Sequence, residues 1–252
     1  MRIDILMVES GLAVSRAKAK EMILSGAVLC DGRQVTKASL DVSDAARISV
    51  TENPLQRYVG RGGLKLEAAL DAFAVSVDGL VAIDVGASSG GFTDCLLQRG
   101  ASFVYAVDSG SGQLHPKLAS DARVRVMEGC NARYLEAEDF DPIPTLAVMD
   151  VSFISQTLLY PALRRVMRDG GEFLSLIKPQ FELDRASLGK GGIVKEEKLR
   201  KRAVDRVVRE AEACGLALRK IIKSPITGGD GNTEYLAEFS VPPITTEEEN
   251  YE

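Results

Sequence analysis

The sequence predicts an α/β protein with a doubly wound, mainly parallel sheet of seven strands, preceded by a small α+β domain. From residue 81 to residue 241, short apolar runs alternate with helical segments, which is the pattern of a parallel sheet covered by helices. Residues 1–50 show a separate pattern of helices and short strands, and a polar, glycine-rich stretch follows them. We therefore place a first domain at 1–57, a linker at 58–63, a second domain at 64–245 and an acidic tail at 246–252.

The first domain has the signals of a helical pair followed by a hairpin. Its first twelve residues carry apolar side chains at partly helical spacing. Ser15 is a typical N-cap for a helix over 16–24, which Gly26 ends. Asp31-Gly32 is a tight-turn dipeptide between two short strands, and a last strand is predicted at 47–50.

The second domain is predicted to alternate helices with strands rich in Val, Ile and Leu. In an open sheet of this kind, ligands bind at the carboxyl ends of the strands. The predicted helices are 64–73, 92–99, 156–167 and 195–214, and the predicted strands are 81–85, 103–107, 124–127, 146–149, 172–177, 216–222 and 234–241.

Charge and composition exclude several classes of protein. The net charge of −5 argues against a polycation that coats nucleic acid, although residues 1–65 carry ten Lys and Arg against seven Asp and Glu. Four scattered cysteines and a single histidine do not match a zinc site, so we predict no metal. Because no apolar run approaches the ~18 residues of a membrane span and no secretory pattern opens the chain, we expect a cytoplasmic protein with reduced thiols and no membrane association.

A glycine-rich turn joins the first strand of the second domain to a helix. Its glycines let the backbone turn sharply and pass close to a ligand. Asp108, at the end of the next strand, can accept hydrogen bonds from ribose hydroxyls. Asn131 is placed to contact an adenine edge, with an ordinary loop asparagine as the alternative. The predicted cofactor-binding residues are Asp84, Gly86, Ser88, Ser89, Gly90, Gly91, Phe92, Asp108, Asn131 and Asp150.

The spacing of the glycines favours one cofactor over another. Dinucleotide sites prefer GxGxxG, with a helix N-terminus directed at a pyrophosphate. Here the spacing is GxxxGG after Asp84. S-adenosylmethionine (SAM) carries no phosphate and requires a cradle only for an amino acid and a ribose. The sequence therefore favours SAM over NAD(P).

Four charged residues lie at the ends of predicted elements, on the carboxyl side of the sheet: Lys65, Asp150, Lys178 and Glu234. Taken singly, each is more often a solvated surface charge. Lys178, however, ends an apolar strand and precedes a proline, so we expect it to be partly buried at the cleft. Methyl transfer to a hydroxyl requires that the hydroxyl proton leave. We predict Lys178 as the base and Asp150 as the group that positions it; two cations and two anions leave the net electrostatic effect open.

These motifs together resemble those of the TlyA family, often labelled haemolysin A, whose catalytic domain is similar to FtsJ-type RNA ribose methyltransferases. The segment 15–32 also resembles the RNA-binding module first seen in ribosomal protein S4. The matching catalytic stretches are 61–66, 84–93, 150–155, 177–182 and 231–235.

The resemblance implies a Rossmann-like class I methyltransferase sheet and a catalytic tetrad formed by Lys65, Asp150, Lys178 and Glu234. It also implies SAM-dependent 2'-O-methylation of cytidine in ribosomal RNA. The short ends of this chain resemble the form that acts on large-subunit 23S rRNA, whereas longer members also act on 16S rRNA.

Two basic segments are candidates for contact with RNA, through phosphates and shape rather than base sequence. The second, 184–209, holds nine Lys and Arg against four Asp and Glu, and we expect its first part, 187–192, to close over an extruded nucleotide. A merely solvated basic face is the alternative for both. With ribosomal RNA or a ribosomal subunit as the expected partner, the predicted contacts are Arg16, Lys18, Lys20, Arg33, Lys37, Arg61 and Lys190.

Three other functions compete with this interpretation. A dehydrogenase on the same sheet would bind nicotinamide and have no use for the N-terminal module. An rRNA-binding assembly factor with an inactive catalytic domain would bind rRNA without methyl transfer. A membrane-lytic protein, which the haemolysin label implies, would need an amphipathic, aromatic-rich helix that the sequence does not offer.

Overall fold

The computed structural model describes residues 1–24, 26–43, 45–50 and 57–243. The predicted end of the second domain at 245 and the predicted acidic tail lie outside the described residues. By their contacts, the residues form two compact units, Met1–Arg61 and Gly62–Glu252.

The first unit combines two helices with a three-stranded antiparallel sheet of order β2-β1-β3. Ser15 Oγ accepts a hydrogen bond from Lys18 N at 3.2 Å and so caps the second helix. Asp31 and Gly32 both have positive φ, 50° and 77°, as a tight hairpin turn requires. The elements are α1 (Ile3–Glu9), α2 (Arg16–Leu24), β1 (Val28–Cys30), β2 (Arg33–Gln34) and β3 (Ile48–Val50).

The described part of the second unit is built on a seven-stranded sheet of order β6-β5-β4-β7-β8-β10-β9. Strands β4 to β8 pair in parallel, and β10 is antiparallel to both of its neighbours. The predicted mainly parallel sheet is therefore confirmed. Its strands are β4 (Val81–Val85), β5 (Phe103–Val107), β6 (Val124–Met127), β7 (Leu146–Met149), β8 (Glu172–Ile177), β9 (Ala217–Lys223) and β10 (Tyr235–Ser240), and its α-helices are α3 (Gly62–Phe73), α4 (Gly91–Gln98), α5 (Pro116–Ala119), α6 (Tyr160–Val166), α7 (Pro179–Glu182) and α8 (Glu197–Ala213).

The core of the second unit lies against the central strands, whose side chains are buried on both faces. Ile83, Ala147 and Phe173 are completely buried, and the ring of Phe173 stacks on that of Phe239 at 5.5 Å between centroids. Burial on both faces explains why these strands are continuous apolar runs instead of alternating patterns. The same burial holds the strand ends in place at the carboxyl edge of the sheet, where the loops after the strands begin.

Several element bounds differ from the prediction for local reasons. Helix α3 begins at Gly62, so two residues assigned to the linker are helical. The predicted helix 156–167 begins as a 3-10 turn, Gln156–Leu159, and becomes α-helical only from Tyr160. The short helices α5 and α7, which were not predicted, each open on a proline, a residue suited to the first turn because its φ is already helical.

Candidate active site

A cavity of about 460 Å³ opens at the carboxyl edge of the sheet. It lies at the ends of β4, β5 and β7. The chain runs from β4 to β5 and β6 on one side and then returns to β7 on the other side of β4, and doubly wound sheets bind ligands at such a switch point. The predicted cofactor residues that line it are Gly86, Ser88, Asp108, Asn131 and Asp150.

Gly86 is required where the turn leaves β4. Its φ of +87° is in the left-handed region, and a Cβ added there would lie 2.6 Å from the backbone oxygen of Asp150. A side chain at this position would therefore be both strained and in collision with the strand end beside it.

We expect Gly86→Ala to lower the affinity for SAM at least tenfold and to lower the melting temperature. The added methyl group must displace the backbone at Asp150, which lines the same cavity. Isothermal titration and thermal unfolding measure the two effects. Gly112→Ala is the control, because its φ is also positive but an added Cβ would meet nothing within 4 Å; equal losses in both variants would show that strain alone is responsible.

Asp108 ties the glycine turn to the end of β5. One carboxylate oxygen accepts a hydrogen bond from Ser88 N at 2.8 Å, and the other accepts one from Gly110 N at 2.7 Å. These two bonds hold the carboxylate at the cavity wall, where its remaining lone pairs can accept hydrogen bonds from a diol. Asn131 also reaches the wall, and its Oδ1 caps the following 3-10 turn by accepting from Arg133 N.

The structure places the other predicted cofactor residues outside the cavity lining. Asp84 is fully buried and accepts a hydrogen bond from the Thr93 hydroxyl at 2.6 Å. Burial, reinforced by the charge of Asp150, raises the pKa of Asp84 to about 7. The remaining residues shape the turn or begin α4 instead of facing the cavity: Ser89, Gly90, Gly91 and Phe92.

Lys178 stands between two groups from the loop after β7. Its Nζ lies 2.6 Å from Asp150 Oδ1 and donates a hydrogen bond to Ser152 Oγ at 2.7 Å. The Lys178 side chain is 11% exposed, as expected for a lysine at the edge of a cleft. The structure therefore brings the predicted base and its predicted positioning group into direct contact, and it adds Ser152 as a third partner.

Lys65 and Glu234 form a second ion pair at 2.5 Å, and both are buried. Glu234 comes immediately before β10, whose Tyr235 pairs with Ile177 of β8. The antiparallel register thus sets Glu234 opposite Lys178. A Cβ at Gly62, one helical turn before Lys65, would lie 3.7 Å from Asp150 Oδ2. The four predicted catalytic residues therefore meet at one edge of the sheet as two ion pairs.

Phe153 is an exposed aromatic side chain at the cavity that the sequence analysis missed. It is 93% exposed, has a φ of +65° and lines the cavity. Its ring lies 5.3 Å from that of Phe181, and Lys178 Nζ lies 5.9 Å from the Phe181 ring centre. A positive φ is rare for an aromatic residue. In this conformation the exposed ring presents a flat apolar surface near the lysine. The only signal in the sequence was its position three residues after Asp150.

Glu182 holds the same loop from the other end of α7. Its carboxylate accepts hydrogen bonds from Ser155 Oγ at 2.5 Å and from Gln156 N at 3.0 Å. Burial outweighs these bonds and raises the pKa of Glu182. Lys178 immediately precedes α7 and Glu182 ends it. The loop after β7 is therefore bound at both ends of this helix, through Lys178 and through Glu182.

We expect Glu182→Gln to lower kcat about tenfold, because loss of a charged hydrogen-bond acceptor costs roughly 1.5–3 kcal/mol and loosens the loop that carries Asp150 and Ser152. Glutamine fills the same volume but offers only one acceptor oxygen to the two donors. Steady-state methyl transfer and thermal unfolding measure the result, with the exposed Glu138→Gln as control. A lower melting temperature with unchanged kcat would reduce Glu182 to a purely structural role.

Comparison with known proteins decides the family. A family model described as FtsJ-like methyltransferase matches residues 58–240, and an S4 domain model matches residues 1–48. The chain belongs to the FtsJ-like methyltransferase family. It is 42% identical over 234 residues to the Mycobacterium tuberculosis 16S/23S rRNA (cytidine-2'-O)-methyltransferase TlyA, covering 93% of this chain and 87% of that protein.

Two further relatives of this FtsJ-like methyltransferase carry the name hemolysin. Hemolysin A of Brachyspira hyodysenteriae is 41% identical, covering 96% of this chain and all of that protein. A solved structure from Streptococcus thermophilus is 42% identical, with a TM-score of 0.74, and covers 96% of this chain and 88% of its own. Within the described residues, no helix is long and apolar enough to cross a membrane.

The cofactor of this FtsJ-like methyltransferase is SAM, as the sequence predicted. The cavity fits it: of the described residues that line the cavity, none is a lysine or arginine, and two are aspartates. Such a wall suits a sulfonium cation, and the match to the methyltransferase family model rejects the dehydrogenase alternative. No cluster of three metal-ligating side chains occurs among the residues that can be described.

The predicted RNA contacts of the S4 domain lie mostly on its surface. Arg16 is exposed, yet its guanidinium also bonds to Asp4 at 3.2 Å, so part of its charge is compensated. Lys18 is half-buried. The other predicted contacts are exposed: Lys20, Arg33, Lys37, Arg61 and, in the second unit, Lys190.

Proposed function

We propose that this protein transfers a methyl group from SAM to the ribose 2'-hydroxyl of cytidine in ribosomal RNA. The single observation that carries the proposal is the contact of Lys178 with Asp150, 2.6 Å apart, because Asp150 also lines the cavity. A lysine in contact with a residue of the cavity wall is placed to act on the hydroxyl that accepts the methyl group. The name of the M. tuberculosis relative supports cytidine as the target and both 23S and 16S rRNA as substrates.

Bound SAM supplies an electrophilic methyl group on sulfonium, and the protein supplies position and proton removal. In the proposed reaction, Lys178 Nζ accepts the proton of the 2'-hydroxyl as the oxygen takes the methyl group, and the donor sulfur keeps the electron pair of the broken carbon–sulfur bond as a neutral thioether. Asp150 then stabilises the ammonium that results, and the proton returns to solvent. The second ion pair, Lys65 with Glu234, holds the start of α3 and the start of β10 around this reaction centre.

Two further features support an RNA substrate. The S4 domain offers exposed cations on α2 and β2 for phosphates. Phe153 offers an aromatic face on which an extruded base can stack beside Lys178. A ribosomal substrate also means a cytoplasmic protein, which is the location we propose.

The proposal is tested by methyl transfer from labelled SAM to unmodified 50S and 30S subunits, followed by mapping of the modified nucleotide. We expect one modified cytidine ribose in 23S rRNA, with 16S rRNA as a second substrate. Modification of a base, or binding of rRNA with no transfer of label, would overturn the proposal; the second result would instead support an inactive assembly factor.

A further inference from the structure

Helix α8 presents a positive face on a catalytic unit that is otherwise acidic. Residues 62–252 carry 22 Lys and Arg against 29 Asp and Glu. The helix buries one stripe, Ala203, Val207 and Ala211, against the unit. The exposed charged residues of the helix are five cations, Lys198, Lys201, Arg202, Arg206 and Arg209, and three acids, Glu197, Asp205 and Glu212.

Two arginines of α8 attach it to the segment that follows the proposed base. Arg206 donates a hydrogen bond to the backbone oxygen of Glu182 at 2.8 Å. Arg200 donates to the backbone oxygens of Val194 at 3.0 Å and Lys195 at 2.7 Å. Both ends of the segment 182–195 are therefore bound to α8. The positive face is thus hydrogen-bonded to the end of α7, the helix that begins next to Lys178.

The same segment carries further positive charge between α7 and α8. Lys190 and Lys195 are exposed on it. Asn232, which is buried, fixes this segment as well: its Oδ1 accepts from Val194 N at 2.9 Å, and its Nδ2 donates to Gly192 O at 3.1 Å. The basic face and the proposed catalytic residues therefore share one ordered support.

We propose that the α8 face, with Lys190 and Lys195, binds the phosphates of the RNA strand that carries the target nucleotide. It is a second RNA surface, additional to the S4 domain, and the inference rests on the proposed RNA substrate. From Lys198 to Arg209 the helix rises about 16 Å at 1.5 Å per residue, which is several times the ~3.4 Å axial spacing of phosphates on one strand. A lone basic face is often only solvated; here its attachment to the segment after Lys178 and its excess of cations over acids favour RNA.

The test compares two triple variants of the full chain with equal loss of charge. Lys198→Gln, Arg202→Gln and Arg209→Gln remove cations from α8 but leave Arg200 and Arg206 to hold the backbone. The control replaces three exposed arginines elsewhere in the second unit: Arg125→Gln, Arg168→Gln and Arg219→Gln. Binding to unmodified ribosomal subunits is measured between about 50 and 200 mM KCl, together with methyl transfer and SAM affinity.

In the α8 variant we expect the slope of log K against log salt to fall by about 2–3, since each lost phosphate contact contributes roughly 0.7–0.9. KM for the subunit should rise at least tenfold while the Kd for SAM stays unchanged. The control should shift the slope by less than about one. A slope in the α8 variant equal to that of the wild type or the control would overturn the inference.

The outcomes separate this inference from the proposed function. If the wild type binds subunits without methylating them and the α8 variant still lowers the salt slope, the function fails and the RNA surface stands. If the wild type methylates rRNA and the α8 variant behaves as the control does, the function stands and the RNA surface fails.

Discussion

Replacing Lys178 by methionine is expected to lower kcat for methyl transfer by about 10²–10⁴-fold, the usual contribution of a general base. Methionine keeps much of the length and apolar stem of lysine but removes the amine that lies 2.6 Å from Asp150 and 2.7 Å from Ser152. Lys178 does not line the cavity. The Kd for SAM should therefore stay within about twofold of the wild type, and isothermal titration beside a single-turnover assay measures both values.

Lys178→Arg distinguishes a base from a fixed positive charge. Arginine keeps the cation and can reach Asp150, but it does not give up its proton in proteins. If Lys178 accepts the hydroxyl proton, the arginine variant should be as slow as the methionine variant. Turnover near the wild-type rate in the arginine variant would remove Lys178 as the base and leave it as an electrostatic group.

The sheet could be predicted because its strands carry their own signal. The strands β4, β5, β7 and β8 are buried and largely apolar on both faces, so their order along the chain and their type are visible without any partner. The spatial order was less accessible. That β10 inserts between β8 and β9 depends on pairing over long sequence separation, and no local pattern specifies such a pairing.

Candidate site residues could be predicted where a residue directly follows a strand. Contacts between residues from two distant segments could not be predicted. Lys178 and Asp150 could be found because each follows an apolar strand. The partner of Lys65 could not, since Glu234 lies 169 residues away and is selected by the register of β10 on β8. Glu182 was also missed, because its role comes from hydrogen bonds to a loop 26 and 27 residues earlier.

Half of the predicted cofactor residues lie outside the cavity lining for a related reason. A glycine-rich turn identifies the segment that approaches a ligand, but not which of its side chains face the cavity. Gly86 and Ser88 line the wall, whereas Gly91 and Phe92 already belong to α4 and are buried. The orientation of each residue depends on where the helix begins, and a run of glycines does not specify that residue.

Lys65→Met is expected to destabilise the protein by roughly 3–5 kcal/mol, because it leaves the carboxylate of Glu234 buried without its partner. Glu234 is 2% exposed and Lys65 is 8% exposed, and they meet at 2.5 Å. Space around the pair is also limited, since a Cβ on Gly228 would lie 2.6 Å from Glu234 Oε1. Urea unfolding gives the free energy of unfolding for this variant and for Glu234→Gln.

The double variant Lys65→Met with Glu234→Leu separates stability from catalysis. Replacing a buried ion pair by apolar side chains of similar size is often neutral for stability, because both desolvation costs disappear together. We therefore expect the double variant to recover most of the lost free energy of unfolding while methyl transfer stays at least tenfold below wild type. If activity returned with stability, the role of the pair would be limited to holding α3 and β10 together. If stability stayed low, the ion pair would stabilise the fold more than the apolar pair that replaces it.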